Sequence, residues 1–369
     1  MVEAWILAGT VAIHVVVVAR WTWGWKRSVT HPLPPKKQGP PTFTVVLPCR
    51  NEAERLPALL DSLKAMQAGL PFDVVVVNDH SEDDTLGLVQ RHTLRAKALD
   101  LPQGRAGKKA ALLHAMSHVQ SPWAITIDAD VSLPHTWADA WQLRLQGTSE
   151  TVAAVAATVV MTDGTGARWD RLQTLDFASQ MGWAASQMGL GQPASASGAN
   201  FAVRPSCYPD TTGLGASGDD VLVLQALAQA GHEATWAHEQ GLMARSPGPS
   251  SLHEWTNQRL RWAGKTKHYN PAAKATGCWM LWVSVAQVTA FLHGWQVAGA
   301  FWFAVSALHV AFTAPVAKQQ GLALKSFDWV CQALTQPLQA LWLLLAKAGA
   351  LKLVGMPSTA KWKGRTCHA

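Results

Sequence analysis

The sequence predicts an α/β domain with a buried sheet, carried between membrane-embedded helices. Three observations lead there. From residue 42 onward, short runs rich in β-branched residues alternate with segments of helical periodicity, the pattern of strands covered on both faces. Apolar runs almost without charge flank that region on both sides. Charged residues make up only 15% of the 369 residues and hydrophobic ones 49%, against a usual charged share of about 25%.

The elements follow in order. Trp5–Ala19 is apolar and is extended by Trp21, Trp23 and Trp25 before Lys26 and Arg27. With those residues it approaches the roughly 20 needed to span a bilayer. Glu3 stands where a signal peptide would carry basic residues, and the positive charges follow the apolar run, so residues 1–27 are expected to be a retained anchor. Residues 28–41, with HPLPPKKQGPP, read as a stiff basic linker. Strands are expected at Phe43–Leu47, Phe72–Val77 and Trp123–Asp128, and helices at Glu52–Met66, from Asp84 to about Leu94, and at Gly107–Val119. This alternation implies a parallel sheet, whose chemistry sits at the carboxyl ends of its strands. Residues 42–270 form this domain. Residues 271–369 form a membrane region with a basic tail: Cys278–Val297 and Ala298–Ala317 are uncharged apolar runs. A third run, Phe327–Ala346, carries Gln332, Gln336, Pro337 and Gln339, which suits a kinked span, a re-entrant hairpin or an interfacial helix.

The net charge of +7 would suggest nucleic acid were it evenly spread. Instead residues 38–270 hold 22 of the 24 acids and 18 of the 31 bases, while the basic excess flanks the apolar runs. That is the positive-inside pattern, and no nucleic-acid partner is expected. Nineteen Trp against two Tyr also suit membrane interfaces. The five Cys show neither CxxC spacing nor an even count, so neither a disulfide framework nor a zinc site is expected. In the C-terminal runs His293 and His309 stand alone and read as packing residues, which argues against a transporter.

Five groups of residues can carry chemistry. Asp79, ending the second strand in VVVVNDHSEDDT, can accept hydrogen bonds from a base or ribose, or can simply shape the turn. Asp128 and Asp130 close the apolar strand WAITIDAD. Carboxylates there are costly without positive compensation, and a hard divalent ion bridging to a diphosphate would supply it. Lys108, with Gly107 and Lys109, opens a helix suited to phosphate but lacks the Ser or Thr of a P-loop, and a solvated basic helix end fits the same residues equally well. Asp219 and Asp220 follow a Gly/Ser-rich stretch at the start of an apolar helix. Capping explains one acid, and a general base is a role for the other. Downstream, Gln258, Arg261 and Trp262 stand just before the membrane runs, suited to phosphate pairing and sugar stacking, or to snorkelling at the interface.

Taken in order, VVLPCRNEAERL, VNDHSEDDT, GKKAAL, DADVSLPHTW, SGANFAVR, SGDD and QRLRWAGK resemble the membrane-anchored, inverting family-2 glycosyltransferases, and WKGR at Trp362–Arg365 resembles the ending of lipid-directed members. The resemblance implies a GT-A fold: a Rossmann-like mixed sheet plus transmembrane helices. It implies a nucleotide-diphosphate sugar donor and Mg²⁺ or Mn²⁺. By the same resemblance Asp79 holds the nucleotide, Asn51 and Glu52 fit its pocket, Asp128 and Asp130 bind the metal, Asp220 deprotonates the acceptor hydroxyl, and Gln258, Arg261 and Trp262 serve pyrophosphate and acceptor. Asn78 stands where an Asp is usual. The acceptor is expected to be a lipid, the protein a multi-pass protein of the cell (inner) membrane, and its catalytic domain cytoplasmic. The rival readings are a processive polysaccharide synthase and a non-catalytic membrane scaffold.

Overall fold

The computed structural model describes residues 2–29, 42–162, 164–214, 218–265 and 268–350, with 356–357, 360–362 and 365–367 of the tail. The expected linker from residue 30 on, Gly215–Ser217 before the paired acids, and Lys363 and Gly364 of the tail motif lie outside the described residues.

Helix α1 (Val2–Val29) precedes the α/β unit. Strand β1 (Phe43–Cys49) leads to α2 (Leu56–Gln67), where Leu56, Leu59, Leu60, Leu63 and Met66 form one buried stripe of helical period. The helix starts later than the expected Glu52, because the Glu52 carbonyl accepts the Arg55 and Leu56 N–H groups in a turn. Next come β2 (Asp73–Asn78), α3 (Thr85–Arg91), β3 (Lys97–Asp100), α4 (Lys108–Met116), β4 (Trp123–Thr126), α5 (Trp137–Gln146), β5 (Val152–Ala157) and β6 (Val159–Met161). Then follow α6 (Arg168–Gly189), β7 (Phe201–Val203), α7 (Val221–Gln229), β8 (Glu233–Ala237), β9 (Ala244–Ser246) and α8 (Leu252–Ala263).

The seven-stranded sheet has the order β3-β2-β1-β4-β7-β5-β8. All neighbours run parallel except β7, which is antiparallel to both β4 and β5. The sheet is thus the mixed one that the family resemblance implies, and β7 is too short, at three residues flanked by loops, for any period in the sequence to reveal its direction. β6 and β9 pair separately. The core of the sheet includes Trp123, Trp137, Trp141 and Trp236, all fully buried. Part of the tryptophan excess therefore belongs to the α/β core and not to a membrane interface.

The membrane-type helices are α9 (Pro271–Thr289), α10 (Trp295–Gln319) and α11 (Ser326–Lys347), with a short hairpin, β10 (Ala360–Trp362) and β11 (Arg365–Cys367), in the tail. Among the described residues three helical segments are long and apolar enough to cross a membrane: Trp5–Val29, Pro271–His293 and Trp295–Gln319. The break between the last two falls at Gly294, whose φ of 98° suits glycine, earlier than the expected residue 297. α11 is one continuous helix, so the hairpin form of the third run is not what the chain adopts. Its outer face exposes Phe327, Val330, Leu334 and Leu338, while Asp328 and Gln332 face inward. Arg171 of α6 donates to Asp328 at 2.9 Å.

α1 and α10 pack directly on α6. At the α1 crossing the backbones meet: a Cβ on Gly189 would stand 2.0 Å from the Gly24 carbonyl oxygen. Any side chain there would push the anchor off the domain. Between the apolar helices His309 is not alone, for its Nε2 lies 3.0 Å from His14 Nε2 of α1.

Candidate active site

The carboxyl ends of β1, β2 and β4 converge on one edge of the sheet, where an α/β fold gathers its chemistry. After β1, Asn51 adopts φ 50°, a left-handed conformation that Asn tolerates. Its N–H donates to Ser81 Oγ at 3.0 Å and its Oδ1 accepts the Glu82 N–H at 2.8 Å, joining the β1 and β2 exit loops. The Glu52 N–H donates to Thr85 Oγ1 at 2.8 Å.

Asp79 is buried at the end of β2, and its two oxygens accept the Gly107 N–H at 3.1 and 3.0 Å. The N-terminus of α4 thus meets a carboxylate of the protein's own, an arrangement its dipole favours. Asn78 replaces an acid for a local reason: its Nδ2 donates to Asp100 Oδ1 at 2.8 Å while its Oδ1 accepts the Ser81 N–H. An aspartate there would oppose Asp100.

Lys108, the first residue of α4, places its Nζ 2.7 Å from Asp128 Oδ1 and 2.7 Å from Asp219 Oδ2. A solvated basic helix end was the bland reading of this lysine; instead it is mostly buried and bridges two motifs. Burial opposes its ammonium, but the Asp128 and Asp219 charges outweigh that and hold its pKa above the ordinary value. Burial likewise works against the Asp219 carboxylate, and Lys108 and Lys265 nonetheless hold its pKa below the usual range. Asp130 behaves oppositely. Burial, with the Asp128 and Glu52 charges, pushes its carboxyl up to about 6, and Arg55, 3.8 Å away, compensates only in part.

The paired acids divide their work differently from the sequence expectation. Asp220, not Asp219, caps α7: its Oδ1 accepts the Val221 N–H at 2.7 Å. The same oxygen lies 3.2 Å from Lys265 Nζ, and Oδ2 accepts the Gly198 N–H at 3.2 Å. The Gly198 loop is fixed from below by buried Asn200, which accepts the indole N–H groups of Trp137 and Trp141 and donates to the Thr158 and Leu242 carbonyls. Lys265 was passed over in the sequence although it ends QRLRWAGK. Burial disfavours its charge, yet Asp220 and Asp219 keep its pKa raised. Tyr208 was also passed over. Among the described residues its buried hydroxyl has no partner, and burial together with the Asp219 charge pushes its pKa up. Lys109 Nζ is buried and, among the described residues, unpartnered too, and burial lowers its pKa while Asp219 opposes this.

On α8, Gln258, Arg261 and Trp262 are half-buried, and Gln258 Oε1 is enclosed without a partner among the described residues. Trp262 packs on Phe177 of α6, with ring centroids 5.8 Å apart. The buried Arg259 lies 4.5 Å above the Trp262 ring and pairs with Asp176 of α6. This helix is therefore docked against the domain and does not snorkel. The structure joins Asp128, Lys108 and Asp219 by ionic contacts and Lys265 with Asp220 by another, the two groups influencing each other electrostatically through Asp219 and Lys265, with Glu52, Asp130 and Tyr208 within electrostatic reach.

The residues suit a divalent cation at Asp128 and Asp130. Both offer oxygen, the donor type of Mg²⁺ and Mn²⁺, and Asp130 carries the electrostatic cost of a carboxylate crowded by like charges. Among the described residues no three His, Cys, Asp or Glu side chains form a metal cluster, so further ligands would have to come from a bound diphosphate and water.

Comparison with known proteins completes the description. The family described as Glycosyl transferase family 2 matches residues 44–196, and Glycosyl transferase family group 2 matches residues 123–357. A glucosyl-3-phosphoglycerate synthase of Mycobacterium tuberculosis is 31% identical over 98 residues, covering 26% of this chain and 30% of that protein. An undecaprenyl-phosphate 4-deoxy-4-formamido-L-arabinose transferase of Pseudomonas syringae is 32% identical over 96 residues, covering 25% of this chain and 28% of that protein. The matched region spans less than a third of either relative. A mannosyltransferase of Pyrobaculum calidifontis, solved in complex with GDP-Man and Mn²⁺, superposes with a TM-score of 0.56 at 20% identity, over 94% of this chain and 99% of that one. That likeness establishes the fold.

Proposed function

The chain belongs to glycosyl transferase family group 2, and from that premise we propose a membrane-bound, inverting enzyme that moves a sugar from a nucleotide-diphosphate donor to a hydroxyl of a lipid acceptor. The observation that carries the reading is the Lys108 bridge, which joins the Asp128 side of the site to the paired acids across 2.7 Å contacts. Donor and acceptor functions then share one pocket on a domain packed against membrane-type helices.

In this reading Asp79, Asn51 and Glu52 frame the nucleotide, as their place at the ends of β1 and β2 suits. Asp128 and Asp130 hold Mg²⁺ or Mn²⁺, as the Mn²⁺ complex of the Pyrobaculum enzyme encourages. When bound, that ion offsets charge on the departing diphosphate. Lys108 keeps Asp128 and Asp219 oriented. Asp220 takes the proton of the acceptor hydroxyl as its oxygen bonds to the anomeric carbon and the bond to the diphosphate breaks, so configuration inverts. Gln258 and Arg261 face the pyrophosphate from α8.

Membrane placement follows from charge. Lys26 and Arg27 end α1, Lys274 opens α9 and Lys318 ends α10, all at the ends of these helices next to the α/β domain. The positive-inside rule then sets the domain in the cytoplasm, with three spans in the cell membrane and α11 lying at the interface, its exposed apolar face toward lipid. The relative that acts on undecaprenyl phosphate encourages a lipid acceptor.

The test is incubation of membranes bearing the protein with a panel of radiolabelled nucleotide sugars. Label extracted into organic solvent is the expected result. Label held in a high-mass polymer would favour a processive synthase instead, and no transfer with any donor would sink the enzyme reading.

A further inference from the structure

We propose, on the basis of the lipid-acceptor reading above, that the crevice between α6, α8 and α11 holds the hydrocarbon chain of the acceptor. It is an open crevice of about 210 Å³, smaller than a whole small-molecule site and suited to a segment of chain, and Trp169, Leu172, Trp255, Leu338 and Trp342 form much of its wall. The polar groups of this wall are turned to the protein. Trp169 Nε1 donates to the Pro249 carbonyl at 2.8 Å, and Trp342 Nε1 donates to Thr256 Oγ1 at 3.0 Å. Asp176, the one charged residue of the lining, is paired with Arg259. Gln173 Nε2 donates to the Pro249 carbonyl and Thr335 Oγ1 to the Cys331 carbonyl, so apart from Gln173 Oε1 and the Gln339 amide what remains for an occupant is ring face and aliphatic carbon.

Such a surface selects hydrocarbon. A peptide segment would bring backbone N–H and C=O groups that the crevice cannot satisfy. The bilayer, by contrast, lies next to it. Leu338 continues the exposed apolar face of α11, Trp169 and Leu252 are exposed at the rim, and α11 packs against the candidate span α9. α8 links crevice to chemistry: it begins at Leu252 and Trp255 in the wall, and Lys265, just past its end, contacts Asp220. Ten residues of helical rise separate Trp255 from Lys265, about 15 Å. A lipid with its hydroxyl at Asp220 and its chain along α8 would reach the crevice with the carbons beyond that distance.

The experiment uses the full chain in detergent and a 16-carbon alcohol bearing a terminal diazirine, with the sites of photolabelling mapped by peptide mass spectrometry. Label is expected on the segments 169–176, 252–255 and 335–342, displaced by a membrane-lipid extract that accepts sugar. Thr335→Trp, which fills the crevice, should cut this labelling and raise KM for the extract about tenfold, with KM for the nucleotide sugar unchanged. A thermal melt checks folding, and Leu338→Trp replaces the first variant if that one fails to fold. Labelling scattered over the outer faces of the spans without displacement would overturn the proposal, as would a folded filling variant with the wild-type KM. If the wild-type protein sugars no lipid at all, the acceptor reading itself falls. If it sugars lipid while labelling and KM ignore the filling variants, only the crevice falls.

Discussion

Lys108 and Asp219 meet at 2.7 Å although one opens α4 and the other precedes α7. The same ammonium holds Asp128, so a single side chain keeps two carboxylates of the site from repelling one another. Lys108→Met should leave Asp128 uncompensated and Asp219 with only the influence of Lys265. We expect transfer to fall about 10²-fold or more, the scale of losing one preorganised electrostatic partner. Initial rates in detergent check this, and a variant with wild-type rate would remove the bridge from the mechanism.

Asp128 and Asp130 differ in their surroundings, and metal dependence should follow the difference. Asp128 already has Lys108, whereas Asp130 is destabilised by burial and by its acidic neighbours. A cation relieves Asp130 most. EDTA should abolish transfer and Mn²⁺ or Mg²⁺ restore it, with Asp130→Ala the more damaging substitution for metal-dependent donor binding. Titration of nucleotide binding with and without metal measures it, and undiminished activity in chelator would refute the role.

The strands and the acids at their ends were legible because both are local signals: β-branched runs such as Val74–Val77, and carboxylates at the exit of an apolar strand. The division of labour between Asp219 and Asp220 was not, because it depends on Lys108 and Lys265, distant in sequence and indistinguishable from surface lysines until the fold closes. α6 was missed for a related reason. Its buried face includes Asp170, Gln173, Thr174 and Gln187, polar residues that blur the helical period, and its partners are membrane-type helices at both ends of the chain. His309 read as isolated because its partner, His14, lies 295 residues earlier.

That histidine pair should stabilise the membrane bundle. The Trp279 indole can only donate, and it donates to His14 Nδ1 at 3.1 Å. His14 must then carry its proton on Nε2 and give it to His309 Nε2. The hydrogen bonds join α9, α1 and α10. His14→Phe and His309→Phe should each lower the Tm in detergent, with a coupling between them of roughly 0.6–2 kcal/mol, the scale of interhelical hydrogen bonds in membranes. Strictly additive effects in the double variant would show that no such link exists.

The two arginines of QRLRW should separate cleanly. Arg259 is buried against Trp262 and paired with Asp176, so Arg259→Met leaves a largely buried carboxylate with only the neutral Gln180 amide as a donor and should cost on the order of 3 kcal/mol of stability. Arg261→Lys keeps charge but loses the planar two-pronged donor. It should melt like wild type and yet transfer poorly. Thermal melts and rates measured side by side decide it, and an Arg261→Lys variant with normal rate would confine the motif to docking α8.

Asp220 as general base gives the sharpest test, because its three contacts define what a substitution keeps. Its carboxylate accepts the Val221 and Gly198 N–H groups and lies 3.2 Å from Lys265 Nζ. Asparagine retains an oxygen for the helix cap but cannot take a proton at neutral pH, so Asp220→Asn should preserve fold and donor binding while slowing transfer about 10²–10⁴-fold. Asp219→Asn acts elsewhere: it frees Lys108 from one of its two acids, which should disturb the Asp128 side and weaken donor binding. The pair therefore separates by which constant moves, rate for Asp220 and nucleotide-sugar affinity for Asp219. Both quantities can be measured on each variant in detergent. If Asp220→Asn transfers at nearly the wild-type rate, or loses donor affinity as its main defect, the proton is accepted by another group.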